Sequence, residues 1–250
     1  MGKRAKRANR PNPREERNMT HKDNNQNLIH LNAYRKPRKR KVELIPRNVQ
    51  QENYLELLEN EEKDIVVATG PAGSGKTLMA TLYAIKQLHE GHVEKIVITR
   101  PNVAVDDKDI GYLPGDIMAK MTPWMLPILD IFEEYYTPQE VHQLIEEKII
   151  EICPIAYIRG RTFKNAIVLL DEAQGTTPNS MKSILTRIGD NTRMLVTGDM
   201  NQSDHGNQNG LSDFLSRYKV TSSIGLVQFT RKDVERSKVV RDVLSIYGEE

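Results

Sequence analysis

Three stretches of this chain have the residue types and spacing to handle a polyphosphate. The first, Gly70-Pro71-Ala72-Gly73-Ser74-Gly75-Lys76-Thr77, fits the pattern G-x-x-x-x-G-K-[ST]. Its glycines let the backbone turn so that successive N–H groups point inward at phosphate oxygens. The helix expected to follow, entered through Leu78, adds its positive N-terminal end. Lys76 then reaches the β- and γ-phosphates of ATP, and the Thr77 hydroxyl ligates Mg²⁺. The second stretch, Ile167-Val-Leu-Leu-Asp-Glu-Ala-Gln174, ends an apolar run on two adjacent carboxylates. Asp171 is suited to the magnesium shell and Glu172 to orienting or deprotonating an attacking water. Alone, the pair could equally be two acids opening a helix, where they favour the dipole. The third stretch, Val196-Thr-Gly-Asp199, has Gln202 three residues on. It suits a γ-phosphate sensor that couples phosphate loss to motion, or else a turn that needs Gly198 and Asp199 for backbone reasons.

These residues need strands that end together. Asp64–Thr69 reads as a buried strand running straight into the glycine-rich turn, with a helix from Lys76 to about His89 behind it. Strand-like runs recur at Lys95–Thr99, about Ile149–Cys153, Ala166–Leu170, Arg193–Thr197 and Leu226–Phe229, with helical stretches between most of them. That alternation predicts an α/β fold with a mainly parallel sheet and helices on both faces, whose carboxyl edge carries the ligand. Gln50–Asn60 predicts a short helix with Tyr54, Leu55, Leu57 and Leu58 on one face. Gly111–Trp124 reads as an irregular insertion, and Lys232–Tyr247 as a last helix burying Val239, Val240, Val243, Leu244 and Tyr247. Met118, Met121 and Met125 are expected as core filler, and Trp124, Tyr135 and Tyr136 as packing more than as base-stacking rings. His89 and His92 lack the i, i+4 spacing of a zinc pair.

Charge divides the chain. Of its 36 Lys and Arg, 14 lie in residues 1–41 against three acids, leaving 22 basic and 31 acidic residues beyond. Residues 1–41 are therefore expected as a basic, disordered tail that favours a phosphate backbone, and 42–250 as one catalytic domain. No run of residues is apolar enough to span a bilayer, Lys6 breaks the myristoylation pattern that Gly2 suggests, and the single cysteine, Cys153, suits a reducing compartment.

From about residue 46 to 247 the sequence resembles the PhoH family of P-loop ATPases. The likeness is carried by Gln51, the loop at 70–77, Thr99-Arg-Pro101, Gly111-Tyr-Leu-Pro-Gly-Asp116, Tyr157-Ile-Arg-Gly-Arg-Thr162, Asp171-Glu-Ala-Gln174, Leu185-Thr-Arg-Ile-Gly189 and Thr197-Gly-Asp199. It implies a RecA-like core similar to the first domain of superfamily 1 helicases, a cytoplasmic location and a link in name to phosphate starvation. It also implies that Gln51 reads the adenine edge, that Gln174 and Gln202 face the γ-phosphate, and that Arg100 contacts a single strand. Some relatives carry a PIN nuclease domain or work beside a ribosomal RNA endonuclease; this chain has no room for that domain, and its basic tail is outside the family pattern.

A single RecA-like domain lacks the arginines that a second one supplies to the transition state, where such a group contributes about 10³- to 10⁵-fold. The expectation is therefore a homo-oligomer, a hexameric ring, in which a neighbouring copy donates Arg187 or Arg236, with Arg159 and Arg161 as further candidates. Arg100, Arg159 and Arg161 could track the phosphates of single-stranded RNA or DNA, or Arg100 could pair with core acids. The functional expectation is an oligomeric ATPase acting on single strands. The alternative is an ATP-dependent switch that regulates a protein partner such as an RNase without unwinding. A GTPase is disfavoured by the absence of Asn-Lys-x-Asp, and no acceptor pocket for a small-molecule kinase is legible.

Overall fold

A computed structural model describes residues 41–101, 117–202, 209–235 and 238–246. The basic tail up to Arg40 and Arg236 lie outside those residues, as does the Gly111–Asp116 motif. From Lys41 onward the chain forms one compact unit.

The strands β1 (Ile65–Thr69), β2 (Lys95–Thr99), β3 (Ile150–Ile152), β4 (Ala166–Leu170), β5 (Thr192–Gly198) and β6 (Ile224–Gln228) form one sheet in the order β3-β2-β4-β5-β1-β6. Every pairing is parallel. Such sheets are covered on both faces, so their strands read as continuous apolar runs, and β1 and β4 are buried at every position. Successive side chains alternate between two cores. Val66, Ala68, Ile167 and Leu169 face a core with Tyr54 and Leu58 of helix α1 (Val49–Glu59), Ile85 of α2 (Lys76–His89), Ile128 and Phe132 of α3 (Ile117–Glu133) and Val141 of α4 (Pro138–Glu146). Val67, Val168, Leu170 and Val196 face the other core, with Ile158 of α5 (Ile155–Ile158), Met181 and Ile184 of α6 (Pro178–Leu185) and Leu211 of α7 (Gly210–Arg217). The α/β fold with a parallel sheet and helices on both faces, expected from the alternating pattern, is therefore the observed one.

Three expectations change. The segment read as irregular up to Trp124 is helical from Ile117, with Pro123 and Pro127 inside the helix. Met121, Met125, Ile128, Leu129 and Phe132 recur at helical spacing and are all buried, and that burial offsets the backbone bonds the two prolines cannot make. Trp124 turns away from this core and is 44% exposed, whereas Tyr136 packs on Phe132 and His89 as expected. The last helix, α8, is described over Lys238–Ile246, and Lys232, where it was expected to begin, lies in a 3-10 turn at Arg231–Asp233. Its Val239, Val240 and Val243 are 65%, 39% and 45% exposed, not buried. Apolar periodicity marks a face but does not supply its partner; the side chains of Leu244 and Tyr247 lie outside the description. No helix among the described residues is long and apolar enough to cross a membrane.

Candidate functional site

The loop between β1 and α2 needs glycine for two separate reasons. Gly70 has φ 139°, and a Cβ there would lie 2.5 Å from the Phe229 carbonyl oxygen, because Phe229 N–H donates to Thr69 at the end of β1. Gly75 precedes α2 at φ 85°, a conformation that costs an L side chain, and a Cβ would approach the Gln51 amide nitrogen at 2.8 Å. The turn that results places Lys76 inside it. The Lys76 ammonium is buried and donates to the Pro71 carbonyl at 2.8 Å and to Ser74 Oγ at 3.1 Å. Burial pushes its pKa down, opposed by the negative charges of Asp199, Glu172 and Asp171.

Those three carboxylates arrive on neighbouring strands. Asp171 follows β4 and is buried; its Oδ1 accepts from Thr77 Oγ1 at 2.8 Å and from Thr197 Oγ1 at 2.6 Å. One hydroxyl comes from the first turn of α2 and the other from β5, so a single carboxylate oxygen ties the phosphate loop to two strand ends. Glu172 has φ 54° and ψ 43° and leads into a 3-10 turn at Ala173–Gly175. The two acids thus do not open an α-helix; α6 begins only at Pro178, behind its own cap, Thr177. The left-handed conformation is uncommon for a non-glycine residue and recurs at functional sites. It turns Glu172 toward Arg100, whose Nη2 lies 3.0 Å from Oε1.

Gln174 links the second and third motifs: its Nε2 donates to Glu172 Oε2 at 2.5 Å, and its Oε1 accepts from Asp199 N–H at 3.0 Å. Gly198 leaves room for this, since a Cβ there would stand 2.9 Å from that Oε1. Gly73, Lys76, Thr77, Glu172, Asp199 and Gln202 border a cavity of about 300 Å³, together with Ala72, Leu78 and Asp171. Beneath it, Gln51 is buried on α1, donating to the Ser74 carbonyl at 3.0 Å and accepting from Arg47 N–H at 2.9 Å. Gln51 therefore holds the loop's backbone, with its amide oxygen already engaged.

The candidate arginines lie elsewhere. Arg161 pairs with Glu151 through both guanidinium nitrogens and sits 4.7 Å above the Phe163 ring. Arg187 turns back on its own helix, donating to the Ser183 carbonyl and to Thr186 Oγ1. Its carbonyl accepts from Phe163 N–H, just ahead of β4, at the sheet's entry edge and not its carboxyl edge. Arg159 is exposed. None of the three borders the cavity. Sequence reasoning missed Thr197, although it stands inside the Val-Thr-Gly-Asp motif, and Arg193, which has no motif at all. Arg193 donates to the carbonyls of Lys63, Leu58 and Asn60 at 2.8, 2.5 and 2.7 Å.

Among curated proteins, a PhoH-like protein of Bacillus subtilis is 39% identical over 189 residues, covering 75% of this chain and 59% of its own length. Protein PhoH of Escherichia coli is 39% identical over 209 residues, covering 82% of this chain and 58% of itself. The chain thus spans a little under three fifths of the length of these relatives. Among solved structures, the helicase domain of Hef from Pyrococcus furiosus aligns with a TM-score of 0.44 and 14% identity, over 76% of this chain and 39% of that one. The family model described as PhoH-like protein matches residues 43–248, nearly all of the sequence beyond the basic tail, and with that extent of match this chain belongs to the PhoH-like family.

Proposed function

We propose that this chain binds ATP with magnesium on the 70–78 loop and hydrolyses it to ADP and phosphate, working as an oligomeric, cytoplasmic ATPase on single-stranded RNA or DNA. The observation that carries this reading is the meeting of Thr77, Thr197 and Asp171 on one oxygen beside the buried Lys76. Thr77 and Asp171 are hard oxygen donors in contact, the donor chemistry that Mg²⁺ takes, so these two would hold it. When bound, the metal supplies charge neutralisation at the β- and γ-phosphates. Lys76 and the N–H groups opening α2 bind phosphate oxygens, while Glu172 accepts the proton of the water that attacks the γ-phosphorus. Asp199 and Gln202, which border the same cavity, sense whether that phosphate is present.

Among the described residues, none of the candidate arginines Arg159, Arg161 and Arg187 borders the cavity, so the transition-state arginine is assigned to a neighbouring copy, with a hexameric ring as the assembly. Arg236 stays a candidate in sequence only. Solution mass in the presence of ATP tests the ring; a monomer at full turnover overturns it. The ATPase itself is tested by turnover of wild type, Lys76→Ala and Glu172→Gln, with and without single-stranded RNA and DNA at two salt concentrations. Each substitution is expected to lower turnover by at least about a hundredfold, as loss of a general base or a phosphate-binding charge does.

A second reading is favoured by one observation: two of the three proposed strand-contacting arginines, Arg100 and Arg161, are engaged by acids of the same chain. On that reading the protein is an ATP-dependent switch for a protein partner such as an RNase. Turnover unchanged by any nucleic acid would select it.

A further inference from the structure

Arg100 is the first residue after β2, and β2 lies beside β4 with Thr99 opposite Leu170. The Asp171 N–H donates to the Thr99 carbonyl at 3.0 Å, so the register of two strands sets Arg100 against the catalytic pair. Its guanidinium does three things there. Nη2 lies 3.0 Å from Glu172 Oε1, Nε stands 3.9 Å from Asp171 Oδ2, and Nη1 donates to the Trp124 carbonyl at 2.9 Å. With Gln174 on Oε2, both oxygens of the Glu172 carboxylate are taken by side chains. Glu172 still borders the cavity, but each of its oxygens has one acceptor direction occupied, and the guanidinium charge beside it weakens it as a proton acceptor.

The same guanidinium is tied to a helix segment that displays an aromatic ring. Pro127 has no N–H to offer the Pro123 carbonyl, so the helix runs on past Trp124 with one backbone bond missing, and Trp124 is exposed. A solvent-facing indole on the residue whose carbonyl this guanidinium holds brings to one place the two kinds of group that single-strand binders use, a ring for one base and a charge for one phosphate. Arg100 cannot give its full fork to a phosphate and to Glu172 at once.

We infer that Arg100 is a latch on Glu172 that a single-stranded nucleic acid opens, by drawing the guanidinium onto a backbone phosphate while a base stacks on Trp124. The inference rests on the strand-acting reading above and adds the element that makes turnover depend on the strand. Arg100 here is a positioning residue: it acts on the reaction through Glu172. Its engagement with the site's own acids and its contact with a strand become two positions of one side chain.

The test uses the full chain with oligo(rU) and oligo(dT). Trp124 is the only tryptophan, so its fluorescence reports the proposed platform directly. Both oligomers are expected to quench it. ATP turnover is read in parallel for wild type, Arg100→Ala and Arg100→Lys. Removing the latch is expected to raise strand-independent turnover by about fivefold, the upper reach of a partly exposed ion pair, and to abolish further stimulation. Arg100→Lys, with a single ammonium for three partners, falls between. If wild type responds to strands while Arg100→Ala keeps wild-type basal turnover and stimulation, or loses basal turnover, the latch is overturned and the strand-acting reading survives. If neither oligomer quenches Trp124 or stimulates wild type, the strand-acting reading itself fails and the latch falls with it. Should Arg100→Ala not fold, the quenching of wild type and the intermediate turnover of Arg100→Lys decide the matter.

Discussion

Helix α1 carries Gln51 to the phosphate loop, yet it has no basic residue in its last turn to meet the negative end of its dipole. Arg193, the second residue of β5, supplies that charge from outside the helix. It donates to the Leu57 and Leu58 carbonyls, which lie in the last turn, and to Asn60 and Lys63 just beyond. It also contacts the Tyr83 hydroxyl and lies 5.4 Å from the centroid of that ring. Arg193→Ala removes this whole fork. The Asn60 bond is exposed and water replaces it, but the Leu58 and Lys63 bonds are part-buried. Counting about 1.5 kcal/mol for each of those two and about 0.5 for the helix end gives a loss of about 3.5 kcal/mol. In a domain of this size that lowers the melting temperature by about 7 to 14 °C. Arg193→Lys, which keeps the charge but cannot span four carbonyls, is expected to lose about half as much. Urea and thermal unfolding measure both. Because Gln51 anchors the loop through Ser74, the ATP KM of Arg193→Ala is expected to rise severalfold with kcat nearly kept. A loss below about 0.5 kcal/mol, or a KM equal to wild type, refutes the claim that this arginine holds α1 in place.

Two further substitutions probe the frame of the site. Gly75→Ala places a Cβ at φ 85° and 2.8 Å from Gln51 Nε2, so we expect it to cost about 1 to 2 kcal/mol and to weaken ATP binding in a fluorescent-nucleotide titration; wild-type affinity would contradict the loop geometry. For Glu151, the hydrogen-bonded Arg161 guanidinium holds the carboxyl below the usual carboxylate range, with burial pulling the other way. A folded-state pKa below the unfolded one contributes stability that is present above the unfolded value of about 4.3 and lost as pH falls through the folded value. The melting-temperature gap between wild type and Glu151→Gln should therefore be full at pH 7 and close in acid; a gap independent of pH rules the pairing out as its cause.

The strands of the sheet were readable because burial on both faces leaves β4 no polar residue and β1 only its terminal Thr69 to blur the run. The phosphate loop and Asp171 were readable because their chemistry forces residue types at fixed spacing. Thr197 was half legible, since a threonine before Gly-Asp is unremarkable until its hydroxyl is seen 2.6 Å from Asp171. Arg193 was not legible at all: its partners are backbone carbonyls more than a hundred residues away, and a carbonyl has no residue type. Trp124 and α8 fail for the opposite reason. Both were read from apolarity, and apolarity does not say whether a surface is covered by the same chain.

The placement of β5 explains how these parts act together. It lies between β1, which leads into the phosphate loop, and β4, which leads into the catalytic pair. Neighbouring strands stand about 4.8 Å apart, so the ends of β1 and β4 are separated by about 10 Å, a gap that the metal-bound triphosphate of the proposed function would bridge. The end of β5 fills it. Gly70 N–H donates to the Gly198 carbonyl at 3.1 Å, Thr197 reaches Asp171, and Asp199 N–H is held by Gln174, whose other end holds Glu172. A ligand oxygen that displaces Asp199 therefore pulls on Glu172 through a single amide. Behind the turn, Gly198 lies so close to Leu211 of α7 that even a methyl would stand 2.7 Å from its Cδ2, so little slack separates this turn from the helix on its far side. On the proposed function, motion at the γ-phosphate would thus have a short, packed route out of the site, beginning on the strand that carries neither Lys76 nor the Asp171–Glu172 pair.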